Sequence, residues 1–210
     1  MSCLRHWIKA VLPYPLVCAV ARAINQPFLA DVQRSERLTE YAWVLHQVRG
    51  PLIADVGYAG SYFAEMLCQV GRVVGIDPRD TPQIAHPNFT RVWPFSWETT
   101  GGFSTIVCIS VLEHLPREEA NRLVSQMTHA LAPGGRLLIT TPTGHEAPFR
   151  GYAPFTRSEL DAWGGHVTVV RRRPGENQEH DVATVALVRI TRPTIPLPSG
   201  EPSGPVPDSS

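Results

Sequence analysis

Hydrophobic positions in this chain follow two spacings, one typical of helices and one typical of buried strands. Across residues 35–48 they return every three or four positions, which predicts a helix with one buried face. Gly50 and Pro51 end this helix. Residues 52–56 then form a short, mainly apolar run without regular polar alternation, which is typical of a strand covered on both faces.

The same exchange of helix and strand continues through most of the chain. Further helices are predicted at residues 61–70, 116–131 and 156–163, and further strands at 72–77, 89–93, 104–110 and 136–141. Residues 133–135, Pro-Gly-Gly, separate the helix at 116–131 from the strand at 136–141. Residues 166–172 and 182–190 alternate as an antiparallel hairpin. Helices between successive strands imply right-handed parallel crossovers. We therefore predict an α/β three-layer sandwich, whose mostly parallel seven-stranded sheet ends in an antiparallel hairpin.

The two ends of the chain differ in composition from the part between them. Residues 1–48 are expected to form a helical capping segment, residues 49–192 the main domain, and residues 193–210 a disordered tail rich in Pro, Ser and Gly. Residues 7–24 are largely apolar, but Pro13 and Pro15 break any helix across them. A capping segment is therefore favoured over an anchor at the membrane surface, and no transmembrane segment is expected.

Charge and cysteine content narrow the class of protein. The chain has 19 basic and 19 acidic residues, so no overall field attracts nucleic acid, and no nucleic-acid partner is expected. The arginines at 171–173 and at the two ends of 189–192 are interpreted as solvated strand ends rather than as a phosphate-binding patch. Cys68 and Cys108 fall in apolar segments, and no two cysteines have metal-ligand spacing. This pattern favours a reducing cytoplasm and predicts no metal site.

The first predicted parallel strand ends in a turn of small residues, Asp55-Val56-Gly57-Tyr58-Ala59-Gly60-Ser61. Small residues allow a tight turn and a close approach of the backbone to a ligand, and the next helix presents unpaired amides there. Ligands of parallel sheets bind beyond the carboxyl ends of the strands. The turn alone also fits a nicotinamide dinucleotide, a flavin or an unliganded crossover.

Asp77 ends the next strand, a little over 20 residues beyond the start of this turn. A carboxylate at that position can accept hydrogen bonds from ribose hydroxyls, and Pro78 can lie against an adenine ring. The alternative interpretation is that Asp77 and Pro78 only start a turn. The spacing from the glycine turn favours ribose binding.

Glu113 and His114 follow the strand at 104–110 and precede the most regular helix of the chain. This position faces the predicted cleft. Either His114 acts there as a proton acceptor, or Glu113 holds a backbone amide while His114 fills space.

Five segments, in this order, resemble the motifs of the class I S-adenosylmethionine-dependent methyltransferases over roughly residues 52–190. They are the Asp-Val-Gly-x-x-Gly turn, residues 73–77, residues 103–116 with their Glu-His-Leu-Pro ending, residues 131–139, and the Phe-Thr-x-x-Glu-Leu sequence at 155–160. The resemblance implies the Rossmann-like methyltransferase fold and S-adenosylmethionine as cofactor. It places the cofactor's amino-acid end over Gly57 and Gly60, its ribose on Asp77, and its methionine side against Ser110 and Val111.

Two departures from the family pattern concern the cofactor. Ala59 and Ser61 stand where the family usually has glycine, and Ser61 is expected to cap the next helix. Residues 93–97 lack the family's acidic residue near the adenine, so either Ser96 or a backbone carbonyl takes that role, or the pocket is altered. The expected cofactor-binding residues are Asp55, Gly57, Tyr58, Ala59, Gly60, Asp77, Pro78, Phe95, Ser96, Ser110 and Val111.

The leading functional prediction is methyl transfer to an oxygen or nitrogen atom of a small molecule, with His114 or His145 as general base. The acceptor is expected to contact His145, Arg150 and Tyr152 in the loop at 142–154. A non-catalytic binding or scaffolding protein with the same fold is the alternative. A nicotinamide-dependent dehydrogenase is disfavoured because the full G-x-G-x-x-G turn is absent.

Overall fold

The computed structural model describes residues 37–59, 61–79, 84–97, 100–143, 153–171 and 184–194. The helices of this part of the chain are α1 (Arg37–Gln47), α2 (Tyr62–Cys68), α3 (Arg117–Ala130) and α4 (Arg157–Asp161), with a short 3₁₀ helix at Leu112–His114. The strands are β1 (Leu52–Val56), β2 (Arg72–Ile76), β3 (Phe89–Arg91), β4 (Phe103–Ile109), β5 (Leu131–Pro142), β6 (His166–Arg171) and β7 (Thr184–Thr191).

The seven strands form one sheet in the order β3-β2-β1-β4-β5-β7-β6. Neighbours from β3 to β5 are parallel, whereas β7 runs antiparallel to both β5 and β6. The predicted α/β sheet with a terminal antiparallel hairpin is confirmed. The chain reverses its direction of winding between β1 and β4, and a crevice opens beyond the strand ends at such a point.

Both faces of the sheet are covered, which explains the unbroken apolar runs of the central strands. On one face, Val44 of α1, Val48 just beyond the end of that helix and Phe63 of α2 pack against Ile53 and Leu138. On the other face, α3, α4 and the neighbouring strand residues form a second core: the residues of α3 and α4 in it are Ala120, Val124, Met127, Ala130 and Leu160. The predicted three-layer arrangement follows from these two cores.

Element ends differ from the sequence prediction by one to a few residues, with one larger difference at β5. This strand begins at Leu131, directly after α3, so Pro133, Gly134 and Gly135 lie within it rather than ahead of it. The pairing register with β4 shifts between Phe103 and Thr105, which accommodates the extra residues.

Two local predictions about polar side chains were wrong. Ser61 stands at the N-cap position of α2, but its side chain makes no capping hydrogen bond and is instead hydrogen-bonded to Tyr41. Arg189 and Arg192 are not merely solvated strand ends. Arg189 donates to the Gln47 side chain at 3.2 Å, and Arg192 donates to the carbonyls of His129, at 2.8 Å, and of Leu131.

Several predictions lie outside the described residues. They concern Gly60, His145, Arg150, Tyr152, the apolar run at 7–24 and the tail beyond 194. The division into segments 1–48, 49–192 and 193–210 therefore stays a prediction. Within the described ranges, the structure contains no helix with the length and apolar character that a membrane span requires.

Candidate cofactor-binding and active site

A cavity of about 530 Å³ opens at the carboxyl ends of β1, β2 and β4. Nine of the residues predicted from the sequence line it: Asp55, Gly57, Tyr58, Ala59, Asp77, Pro78, Ser110, Val111 and His114. The cavity is also lined by residues that the sequence did not suggest, among them Arg37 and Tyr41 of α1 and Arg79. Phe95 and Ser96 do not line it. Phe95 packs on Trp97, with 4.7 Å between the ring centroids.

The turn after β1 brings bare backbone to the cavity wall. Gly57 has φ of 71°, and a Cβ atom there would collide with Cγ2 of Val111, so this position requires glycine. The Gly57 amide donates to the Ile76 carbonyl at 2.7 Å, which holds the turn against β2. Ala59 also adopts a positive φ, of 53°. Alanine therefore keeps the left-handed backbone at a position where the family usually has glycine.

Asp77 is completely buried behind this turn. Its Oδ2 accepts the Ala59 amide at 3.0 Å, and its Oδ1 accepts the Arg79 amide at 2.9 Å. The Arg79 side chain adds two further bonds, from Nε to Oδ1 at 3.0 Å and from Nη2 to Oδ2 at 2.9 Å. Burial alone would raise the pKa of Asp77, but these hydrogen bonds outweigh burial and lower it. Asp77 is therefore both an ionised group beside the cavity and the start of a local turn.

Asp55 places a second carboxylate in the cavity wall. It is buried, and its Oδ2 has no hydrogen-bond partner among the described residues. Burial raises its pKa to about 7, and the nearby charge of Asp77 adds to the effect. An unsatisfied buried oxygen of this kind is costly unless a ligand or solvent supplies a donor.

Glu40 connects α1 to the far side of the cavity. Its Oε1 accepts hydrogen bonds from Ser110 Oγ at 2.8 Å and from Thr140 Oγ1 at 2.7 Å, and its Oε2 pairs with Arg37 Nη1 at 2.8 Å. Glu40 is fully buried. Ser110 has φ of 49°, so Glu40 also holds a strained backbone position at the end of β4. This network fixes Arg37 at the cavity wall.

A family model described as a methyltransferase domain matches residues 34–174, which is more than half of the chain. The chain belongs to this methyltransferase family. No curated protein sequence matches it at a significant level.

Solved structures with the same fold include three methyltransferases at 17% identity. A 1,6-didemethyltoxoflavin-N1-methyltransferase from Burkholderia thailandensis, with 1,6-didemethyltoxoflavin and S-adenosylhomocysteine bound, has a TM-score of 0.59 over 88% of this chain and 92% of its own. The N-methyltransferase NodS from Bradyrhizobium japonicum WM9, with S-adenosylhomocysteine bound, has a TM-score of 0.57 over 75% of this chain and 87% of its own. The magnesium protoporphyrin IX methyltransferase of Synechocystis PCC 6803, also with S-adenosylhomocysteine bound, has a TM-score of 0.53 over 73% of this chain and 80% of its own.

In this methyltransferase-family chain, the short 3₁₀ helix after β4 carries the predicted Glu-His pair. Glu113 is buried, accepts a hydrogen bond from its own backbone amide and one from Thr141 Oγ1 at 3.3 Å, and leaves Oε1 unpaired among the described residues. Burial raises its pKa to about 7. His114 is exposed at the cavity wall, and its pKa is lowered by partial burial and by the charges of Arg37 and Arg79.

The sequence contained one signal for the missed α1 residues. Glu40 precedes Val44 by four positions and Val48 by eight, so it stands in the buried stripe of the helix. A carboxylate in that stripe needs polar partners, and two of the partners of Glu40, Ser110 and Arg37, line the cavity. The described residues contain no group of three or more His, Cys, Asp or Glu side chains that could hold a metal ion.

Proposed function

We propose that this chain transfers a methyl group from S-adenosylmethionine to an oxygen or nitrogen atom of a small molecule. The observation that carries the proposal is the buried carboxylate of Asp77, which lies directly behind the backbone of the Gly57 turn in a cavity at the reversal point of the sheet. When bound, the cofactor supplies the electrophilic methyl group. The work of the protein is then mainly positioning and charge control.

The residues present fit this cofactor on two grounds. The Gly57 turn brings bare backbone to the cavity wall, and Asp55 offers an unsatisfied buried oxygen to a donor such as an ammonium group. We assign the ribose hydroxyls to Asp77, the adenine face to Pro78, and the methionine side to Ser110 and Val111. Arg37 is suited to a carboxylate, because its guanidinium is fixed at the cavity wall by Glu40.

Calorimetric titration with S-adenosylhomocysteine tests the proposal. We expect binding, together with a melting temperature that rises by the equivalent of roughly 2.7 kcal/mol when the ligand is present at about 100 times its dissociation constant. Asp77→Ala should weaken binding by roughly 1.5–3 kcal/mol, since charged hydrogen bonds are lost. A folded wild-type protein that shows no heat and no thermal shift at millimolar ligand would refute the cofactor assignment.

His114 is the proposed general base. It is exposed at the cavity wall, and its lowered pKa keeps the imidazole neutral and able to accept a proton near pH 7. His114→Ala should reduce turnover roughly 10²–10⁴-fold while cofactor affinity stays close to that of the wild type. A parallel loss of affinity would instead assign His114 to the cofactor wall. The acceptor for this assay comes from a screen of small hydroxylated and amino compounds.

Two observations support a small acceptor in the cytoplasm. Among the structural neighbours, the 1,6-didemethyltoxoflavin-N1-methyltransferase, which matches this chain over 92% of its own length, was crystallised with the small molecule 1,6-didemethyltoxoflavin. The described cysteines, Cys68 and Cys108, are buried free thiols, which suits a reducing compartment. His145, Arg150 and Tyr152 remain our predicted acceptor contacts.

A binding protein without turnover is the second candidate, and two departures from the family pattern favour it. Ala59 stands where the family usually has glycine, and residues 93–97 carry no acidic residue near the adenine. Tight S-adenosylhomocysteine binding without transfer to any screened acceptor would favour this alternative.

A further inference from the structure

Three arginines come together where α1 ends, away from the carboxyl edge of the sheet that forms the cavity. Arg136 Nη1 donates to the Gln47 carbonyl at 3.1 Å, and Arg189 Nη1 donates to the Gln47 side-chain oxygen at 3.2 Å. Arg49 follows Gln47 by two residues and is exposed. We call these three residues the arginine cluster.

The sheet register explains why these side chains meet. Arg136 pairs with Thr191 and Leu138 pairs with Arg189, so both arginines project from the same face of neighbouring strands. Leu138 packs under α1 on that face. Thr105 Oγ1 is bonded to both the carbonyl and the amide of Arg49, which fixes the backbone of the third member beside them.

Within the described part of the chain, no carboxylate pairs with any of the three. The ion pairs there involve Arg37, Arg79, Arg117 and Arg157 instead. The buried carboxylates Glu40, Asp55, Asp77 and Glu113 all lie toward the carboxyl ends of the strands. The zero net charge of the whole chain therefore conceals a local excess of positive charge.

This arrangement is electrostatically unfavourable without an anion. The pKa of Arg136 is lowered by partial burial and then by the charges of Arg49 and Arg189. Guanidinium groups bind phosphate oxygens through paired N–H donors, and three of them can neutralise a multivalent oxyanion.

We propose that the arginine cluster is a second binding site, separate from the cofactor cavity, for a multivalent phosphate-type anion. Arg136 and Arg189 each keep N–H donors beyond the one used on Gln47, and the bonds described for Arg49 involve only its backbone, so all three guanidinium groups can supply contacts. The phosphate group can belong to a free phosphorylated metabolite or to a lipid headgroup. The site does not depend on the proposed methyl transfer.

The test uses inorganic pyrophosphate as the probe, with potassium chloride at equal ionic strength as the reference. We expect pyrophosphate to raise the melting temperature of the full chain above the chloride value and to bind in calorimetry. Arg136→Gln and Arg49→Gln should each weaken this binding roughly ten-fold or more, because a charged hydrogen-bonding partner is lost. Arg49→Gln is expected to fold normally, since the structure shows only backbone bonds for this residue, so a loss of binding in this variant cannot be attributed to misfolding.

Arg72→Gln is the matched control, because it removes the same charge from an exposed arginine on β2 and should leave pyrophosphate binding unchanged. The proposal would be overturned if the melting temperatures in pyrophosphate and chloride were equal and if, in addition, Arg49→Gln had no effect on binding to phosphoinositide vesicles. An equal loss in Arg72→Gln and Arg49→Gln would also overturn it. Co-sedimentation with vesicles that contain a phosphoinositide, if Arg49→Gln abolishes it, identifies the lipid headgroup as the source. Binding of pyrophosphate alone identifies the free anion.

Discussion

Arg79 and Asp77 form the most consequential residue pair in the cavity. Asp77 is 0% exposed, whereas the Arg79 side chain is 66% exposed. A ribose diol can reach both carboxylate oxygens only if the Arg79 guanidinium gives up its two side-chain bonds. The Arg79 side chain is mostly exposed, so it can move into solvent once ribose hydroxyls replace its two bonds to the buried carboxylate.

Because the ligand no longer displaces the guanidinium, Arg79→Ala is expected to tighten S-adenosylhomocysteine binding by up to roughly five-fold, the equivalent of about 1 kcal/mol, which is the net scale of one hydrogen bond. The unliganded variant should also melt at a lower temperature, since the buried Asp77 loses partners. Calorimetry and thermal melting measure the two effects, with Arg72→Ala as the charge-matched control. Weaker binding in Arg79→Ala would mean that the guanidinium contacts the ligand rather than competing with it.

For single residues, the sequence predicted those cavity residues whose role depends on the local backbone conformation. Gly57 and Asp77 were predicted because a tight turn and a strand end leave clear local patterns. The partner of Asp77 was not predicted, although Arg79 is only two residues away. An arginine beside an aspartate has no sequence signature that distinguishes a bonded pair from two solvated side chains.

Helix α1 shows how a whole element is attached to the site. Its apolar residues pack on the sheet, but its position along the strands is set by Glu40, which bonds to Ser110 and Thr140. These partners are 70 and 100 residues away in sequence. The hydrophobic pattern predicts that this helix exists and which side is buried, but it contains no information on contacts at that separation.

Glu40→Ala should destabilise the fold by roughly 3 kcal/mol, the scale expected when one partner of a buried ionic network is removed. It should also weaken S-adenosylhomocysteine binding, because Arg37 and Ser110 both lose their support at the cavity wall. Urea unfolding and calorimetry measure these losses. Glu65→Ala, at an exposed position on α2, is the control and should change neither value. Full stability in Glu40→Ala would show that apolar packing alone holds α1.

Strand β5 marks the limit of element prediction. Its apolar core was predicted at 136–141, but the strand pairs with β4 from Leu131. The Pro-Gly-Gly sequence at 133–135 is typical of a break, and the structure places it within a register shift. Turn residues and bulge residues are the same amino acids, so only the position of the neighbouring strand separates the two cases.

Over the whole molecule, burial of acidic groups couples stability to pH. Burial raises the pKa of Asp55 from 3.8, and of Glu113 from 4.5, to about 7 in each case. In the folded state these groups keep their protons to a higher pH than in the unfolded state. Their contribution to stability is therefore complete below about pH 4 and is lost as the pH rises through about 7. Asp77 has a lowered pKa and acts in the opposite direction, its contribution being lost as the pH falls.

Isosteric neutral variants separate the contributions of Asp55 and Glu113, whose pKa values are raised, from those of the other titratable groups. Asp55→Asn and Glu113→Gln cannot ionise, so the free energy of unfolding of the wild type should fall relative to each variant as the pH rises from 5 to 7. The slope limit is about 1.4 kcal/mol per pH unit for one group. Urea unfolding at pH 5, 6, 7 and 8 measures this, with Glu65→Gln as an exposed control that should follow the wild type. If the wild type and Asp55→Asn show parallel curves, Asp55 is ionised in the folded protein throughout this range. Its unpaired oxygen must then be stabilised by a donor, and the cavity would have to supply that donor even without cofactor.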